Sequence, residues 1–271
     1  MSLPFLAAPA AVLALLALVW AASVRARDVS LVDRFWGPGF AVAVWTWLVS
    51  YGALTPRAFL LAALVTVWGA RLGWHIGRRN AGHGEDARYA AMRAKSPASF
   101  WWTSLFTVFA LQALLLTLVA LPLWAALRPD APRALQPLDW AGVAVWAAGF
   151  AFESIGDAQL AAFKRDGAHR GKVMDRGLWA WTRHPNYFGD ALLWWGLGLF
   201  ALSTSGAWWT LAGPLLMTFL LVRVSGVALL ERAMSARPGY AEYAARTSAF
   251  FPLPPRAAGR TPQTGRRPEG S

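Results

Sequence analysis

The chain of 271 residues contains no cysteine. That absence excludes a disulfide framework, a Cys-ligated zinc and a Cys-held iron–sulfur cluster. Charge is also scarce: 15% of residues are charged, where a soluble domain carries about 25%. Acidic residues are the scarcest, 14 against 26 Lys and Arg, for a net charge of +12. That surplus alone would suggest a nucleic-acid binder, but so low a charge density excludes a soluble basic one. Disorder is excluded because apolar residues dominate, at 56%, and 17 residues are Trp. This composition describes a polytopic membrane protein whose charge is confined to its loops.

Seven charge-poor runs recur along the chain: 3–22, 40–54, 58–76, 100–127, 138–163, 187–202 and 207–230. In lipid every backbone amide must pair internally, so each run is expected to be a helix. The second and sixth are short for a span. The first lacks a basic start and is long enough to cross a bilayer, so it reads as a retained span rather than a signal peptide. With seven spans the loops alternate sides, and the basic residues sort accordingly. Arg57, Arg128 and Arg133 fall on one side, Arg71 and Arg223 fall inside runs, and all the others fall on the opposite side. The positive-inside bias then predicts an outer amino terminus and a cytoplasmic carboxyl terminus. The expected fold class is therefore an all-α membrane bundle of about seven helices. Residues 1–251 form one domain and 252–271 a disordered tail rich in Pro, Arg and Gly.

Several charges stand where an oily bundle disfavours them. Glu153, Asp157 and Lys164 lie at i, i+4 and i+11, on one helix face. Ionisable groups inside a span cost several kcal/mol, on the order of 3 or more each, unless paired or wet. They form either an interhelical ion pair or a polar pocket open to the cytoplasm. Arg223 needs the same explanation, and Glu231 is its candidate partner. In GLWAWTRHPNYFGDALLWWG (177–196), Pro185 suits a first helical turn, which puts Arg183 and His184 at a helix amino terminus, a natural phosphate position. Arg183, Asn186 and Asp190 share one face there, as a built site or as an interfacial anchor. Trp194 and Trp195 read as belt or packing residues. The loop GHGEDARYAAMR (82–93) reads as a solvated helix start with i,i+3 ion pairs.

The run TRHPNYFGD resembles a segment shared by membrane steroid 5-alpha-reductases, the sterol C14 and C7 reductases and their bacterial relatives. FESIGDAQLAAFK (152–164), the GHGEDARY loop and LLVRVSGVALLE (220–231) extend the match. Together they are similar to the bacterial branch of the steroid 5-alpha-reductase C-terminal-domain family. The resemblance implies about seven helices and NADPH entering from the cytosol, with the cofactor half at about 138–251. By that resemblance Asp157 and Lys164 hold the cofactor's polar half and Trp179 lies beside it. Asn186 and Asp190 are its amide and carboxylate ligands, and Arg223 reaches a phosphate. Glu231 and Tyr240 match with drifting spacing. The RHP-x-Y run also occurs in isoprenylcysteine and phospholipid methyltransferases, but Asn-x-x-x-Asp and the upstream Asp-x6-Lys point to reductases. Animal 5-alpha-reductases carry a Gln-Glu pair in an early helix, whereas FWGPGFAVAVWTWLVSYG has neither residue.

The expected activity is reduction of a polarised carbon–carbon double bond in a steroid-like or other lipid enone. Hydride passes to the carbon beta to the carbonyl, a donor stabilises the enolate, and a proton finishes at the alpha carbon. Trp45, Trp47, Trp68 and Trp74 are expected to form a lipid-accessible slot. His75, Tyr51 and Tyr187 are the candidate polarising groups, with His75 also placed as an interfacial packing residue. No metal and no nucleic acid are expected, only membrane lipids and a lipid or steroid-like substrate. The location is a multi-pass integral membrane protein, of the inner membrane if bacterial, an origin suggested by high Ala, Arg and Trp usage. The rival readings are S-adenosylmethionine-dependent methyl transfer to a lipid or prenyl cysteine, and a non-catalytic lipid-binding or scaffold protein.

Overall fold

The computed structural model describes residues 3–224 and 226–256. Among these the chain is helical, without a strand; one isolated bridge joins Thr182 and Ser248. Most of the expected tail, 257–271, lies outside the described residues, and 252–256 are irregular.

Helix α1 (Leu3–Ala26) ends where Arg27 takes a positive φ of 54° and the Asp28 N–H reaches back to the Ser23 carbonyl, 3.0 Å away. Helix α2 (Leu31–Ser50) begins and ends earlier than the 40–54 run, because Tyr51 closes it on the Trp47 carbonyl and Gly52 turns the chain at φ 59°. Helix α3 (Pro56–Asn80) starts on Thr55, whose Oγ1 accepts from the Ala58 N–H at 3.2 Å, with proline in its first turn. Asp86 caps the short α4 (Ala87–Lys95). Helix α5 (Phe100–Val119) carries a π-helical stretch, Leu105–Ala110, and is followed by α6 (Leu121–Leu127). Helix α7 (Pro137–Arg165) has 29 residues, with Asp139 in its first turn and Lys164 and Arg165 in its last, as the helix dipole favours. Helix α8 (Pro185–Leu202) follows an irregular loop, and α9 (Ala212–Phe219) runs into a π turn, Leu220–Val224. Two short helices end the described chain, α10 (Val227–Met234) and α11 (Tyr240–Arg246).

Four helices among the described residues are long and apolar enough to cross a membrane: Leu3–Ala26, Pro56–Asn80, Phe100–Val119 and Trp208–Met234. The protein is thus an integral membrane protein. Its chain divides into two compact units, one of residues 1–150 and 190–220, the other of 151–189 and 221 onward.

In the first unit α2 packs on α1 and α3. The α2–α3 contact depends on glycine: a Cβ on Gly37 would lie 2.6 Å from the Gly69 carbonyl oxygen, the small-residue approach that draws membrane helices together. Phe40, Trp68 and Trp194 form an aromatic core with centroids 4.5–5.6 Å apart. This corrects the expected tryptophan slot. Trp47 and Trp68 are wholly buried as core, while Trp74 is 70% exposed and Trp45 partly so.

The same unit holds a sealed ion pair that the sequence did not announce. Arg57 Nε and Nη2 donate to the two Asp139 carboxylate oxygens at 2.8 and 3.0 Å, and two further N–H groups, on Nη1 and Nη2, reach the Ala126 and Phe200 carbonyls at 2.8 and 2.5 Å. The 82–93 loop also departs from i,i+3 pairing. Arg93 grips Glu85 eight residues away, Tyr89 donates to Asp33 of α2 at 2.8 Å, and Arg88 bridges Asp33 and Asp86. The Arg93 hydrogen bond is the main reason Glu85 stays below the usual carboxylate range. The loop is thereby tied to the start of α2, which accounts for Asp33 inside that helix.

Candidate functional site

The second unit is built from the latter part of α7, the loop to α8 with that helix's first turn, and the chain from Leu221 onward. Three small groups of polar contacts organise it, and each joins elements far apart in sequence.

The first group is Asp157 with Asn186. Asp157 is buried in α7, and the Asn186 amide of α8 donates to its Oδ1 at 3.0 Å. Asn186 Oδ1 in turn accepts from the Tyr187 N–H at 3.0 Å. The two helices meet closely here because residue 156 is glycine: a Cβ would lie 3.1 Å from the Pro185 ring and 3.3 Å from the Asn186 nitrogen. Glu153, one turn before Asp157, is buried as well.

The second group fixes Trp179. Its indole N–H donates to the Gly156 carbonyl at 3.0 Å, and its own carbonyl accepts from the Tyr243 hydroxyl at 2.6 Å. Next to it the Leu178 N–H donates to Gln159 Oε1 at 3.0 Å, permitted by the positive φ of Gly177.

Glu231 is the centre of the third. Arg183 grips its carboxylate with two donors at 2.8 and 3.1 Å, and sends the third nitrogen to the Ala244 and Thr247 carbonyls. His184 Nε2 lies 2.9 Å from Glu231 Oε1, and its ring stacks on Tyr187 at 5.7 Å. Burial pulls the His184 pKa below its ordinary value, outweighing the Glu231 carboxylate that would raise it. Burial and the same carboxylate push the Tyr240 phenol up. The loop is fastened further by the Arg183 N–H to the Ser248 carbonyl at 2.8 Å and by Thr182 Oγ1 to the Phe250 carbonyl at 2.9 Å.

Several expected residues fall elsewhere. Glu231 meets Arg183 and His184, not Arg223, whose side chain is exposed in the π turn. Lys164 is exposed in the last turn of α7. Asp190 follows Asn186 by one turn of α8, is buried, and belongs to the first unit. Of the three polarising candidates, Tyr51 and His75 do not converge. Tyr51 accepts from the Trp124 indole at 2.9 Å, at the α2–α3 turn. His75 stands near the other end of α3, about 28 Å along the axis at 1.5 Å per residue. Tyr187 is in the second unit, beside Asn186.

Gln159, Thr182 and Tyr243 escaped the sequence reading. Tyr243 carried a signal, standing three residues from Tyr240 on one face of α11. Among the described residues no group of three or more His, Asp or Glu is placed to hold a metal.

The profile of a family described as "Protein of unknown function (DUF1295)" matches residues 19–247. An uncharacterized protein of Schizosaccharomyces pombe is 28% identical, over 86% of this chain and 75% of its own. No solved structure matches.

Proposed function

Because the chain belongs to the DUF1295 family, which is grouped with the steroid 5-alpha-reductase-like membrane proteins, we propose that it is a membrane-embedded, NADPH-dependent reductase of a polarised C=C bond in a steroid-like or other lipid enone. In this reading all seven apolar runs cross the membrane, the amino terminus lies outside and the second unit's polar groups face the cytoplasm. If the source is bacterial, the location in this reading is the inner membrane.

The observation that carries the reading is the Asp157–Asn186 pair beside the fixed Trp179 indole. A buried carboxylate and amide on two adjoining helices suit the hydroxyl and amide groups of a dinucleotide, and an immobilised indole suits a flat ring. The solvent-reaching cations Lys164 and Arg223 suit its phosphates. Arg183 does not: four of its five N–H groups are spent on Glu231 and two carbonyls, so it positions the loop. NADPH, when bound, supplies the hydride. Tyr187 is the favoured polarising group, because it shares a unit with Asp157 and Asn186 and its ring is held against His184. Its hydroxyl would hydrogen-bond the substrate carbonyl oxygen and stabilise charge as it develops there.

Thermal unfolding of the full-length protein in detergent tests this. NADPH at a hundredfold excess over its Kd should stabilise by about 2.7 kcal/mol. Asn186→Ala and Asp157→Asn should abolish that gain. Protection by S-adenosylmethionine but not NADPH would assign methyl transfer instead, and protection by neither would leave a lipid-binding or scaffold role.

A further inference from the structure

The first unit holds a cavity of about 150 Å³ at the α2–α3 turn, lined by Tyr51, Thr55, Arg128, Pro129, Pro132 and Arg133 among others. A single water needs only about 10–15 Å³ measured this way, so a phosphate group fits with room for water.

The charge lining it is unusual for its place. Arg57, Arg128 and Arg133 are the basic residues on this side of the seven-span topology, where positive charge is otherwise avoided. Arg57 is sealed against Asp139 and two carbonyls. The other two both line this one cavity. Arg128 is held in place by Asp130 and by the Trp124 ring, 5.5 Å from its guanidinium. Arg133 has no carboxylate partner among the described residues, so the pair leaves one positive charge unbalanced. Thr55 and Ala58, at the start of the 25-residue α3, also line the cavity and add the positive end of a helix dipole. The two prolines in the 128–133 segment stiffen it and hold both arginines at the rim. Next to it Val49 and Leu54 are largely exposed, apolar surface of the kind acyl chains cover.

We propose that this cavity binds a phosphate oxyanion, as the phosphodiester of an anionic phospholipid headgroup or as free phosphate. The proposal shares the seven-span topology of the reductase reading but not its site, and uses none of its residues except Tyr51, an alternative that reading leaves aside.

The test is thermal unfolding and native mass spectrometry of the full-length protein in detergent. The probes are dioleoylphosphatidylglycerol in mixed micelles and, separately, inorganic phosphate. At least one should raise the unfolding midpoint, and Arg133→Gln should weaken that probe about tenfold, the loss of one charge-assisted contact. Arg170→Gln, the same charge change on a loop of the second unit, should leave it unaltered. Action of the lipid alone assigns the headgroup, and action of inorganic phosphate assigns the free anion. The proposal is overturned if neither probe acts, or if Arg133→Gln and Arg170→Gln weaken binding alike.

Discussion

Each unit contains an arginine gripping a carboxylate with two donors, and the two pairs differ in everything around them. Arg57–Asp139 in the first unit is 2% and 0% exposed at its side chains, with further donors spent on carbonyls and Ser203 adding to Asp139. Arg183–Glu231 in the second is 12% and 26% exposed, and Glu231 also serves His184 and touches Tyr240. A sealed pair with four of the arginine's five N–H groups spent on the carboxylate and two carbonyls is a structural fixture, costly to break and silent in chemistry. A half-open pair with titratable neighbours can still respond to solvent, protons and ligands. The same chemical unit is therefore a lock in one region and a positioning device in the other.

The largest effect expected is at the lock. Arg57→Ala strands a buried carboxylate and should cost about 3–5 kcal/mol, whereas the double variant Arg57→Met with Asp139→Leu should recover most of it. Chemical unfolding in detergent measures both, and NADPH protection should survive in whatever fraction folds. The contrast between the pairs breaks if the single variant costs no more than a change at Glu231.

Glu231→Gln comes next. Partial exposure limits its cost to about 1–2 kcal/mol, yet the 179–184 loop loses one of its anchors, so NADPH protection should fall with it. A variant that unfolds as readily as Arg57→Ala while binding NADPH normally would reverse the two roles.

The smallest effect is on pH. His184 is held neutral by burial, below its ordinary pKa of 6.5. The unfolded chain therefore takes up a proton that the folded one refuses. Stability is complete above about pH 6.5 and declines as pH falls through the window beneath it. One proton limits that slope to about 1.4 kcal/mol for each step of one in pH. His184→Asn should flatten the slope in unfolding midpoints taken between pH 5 and 8, and an unchanged slope would remove His184 from the account.

The helices were legible because lipid permits so little: a run without charge must satisfy its own backbone, and each such run is largely helical here. The Asp157–Asn186 pair was legible in part, since one helix face gathered Glu153 and Asp157 and another Arg183, Asn186 and Asp190. Partnerships across helices were not. Nearness in sequence pairs Glu231 with Arg223, whereas its partner Arg183 is 48 residues away. Asp139 was overlooked at the edge of a run, where a charge reads as loop. Its partner is 82 residues back. Periodicity reports which face a residue is on, and nothing in it tells what faces it.

The fastening of the 179–184 loop by the chain's end sets an order of assembly. Thr182 waits for Phe250, 68 residues later, while Arg183 waits for Ser248 and Trp181 for Leu253. A nascent polypeptide stalled before Ser248 already carries every helix found among the described residues and can enter the bilayer, but lacks its clasp. Maturation of this region thus waits for residues 248–253, and truncation before them would spare insertion while leaving the loop unfastened.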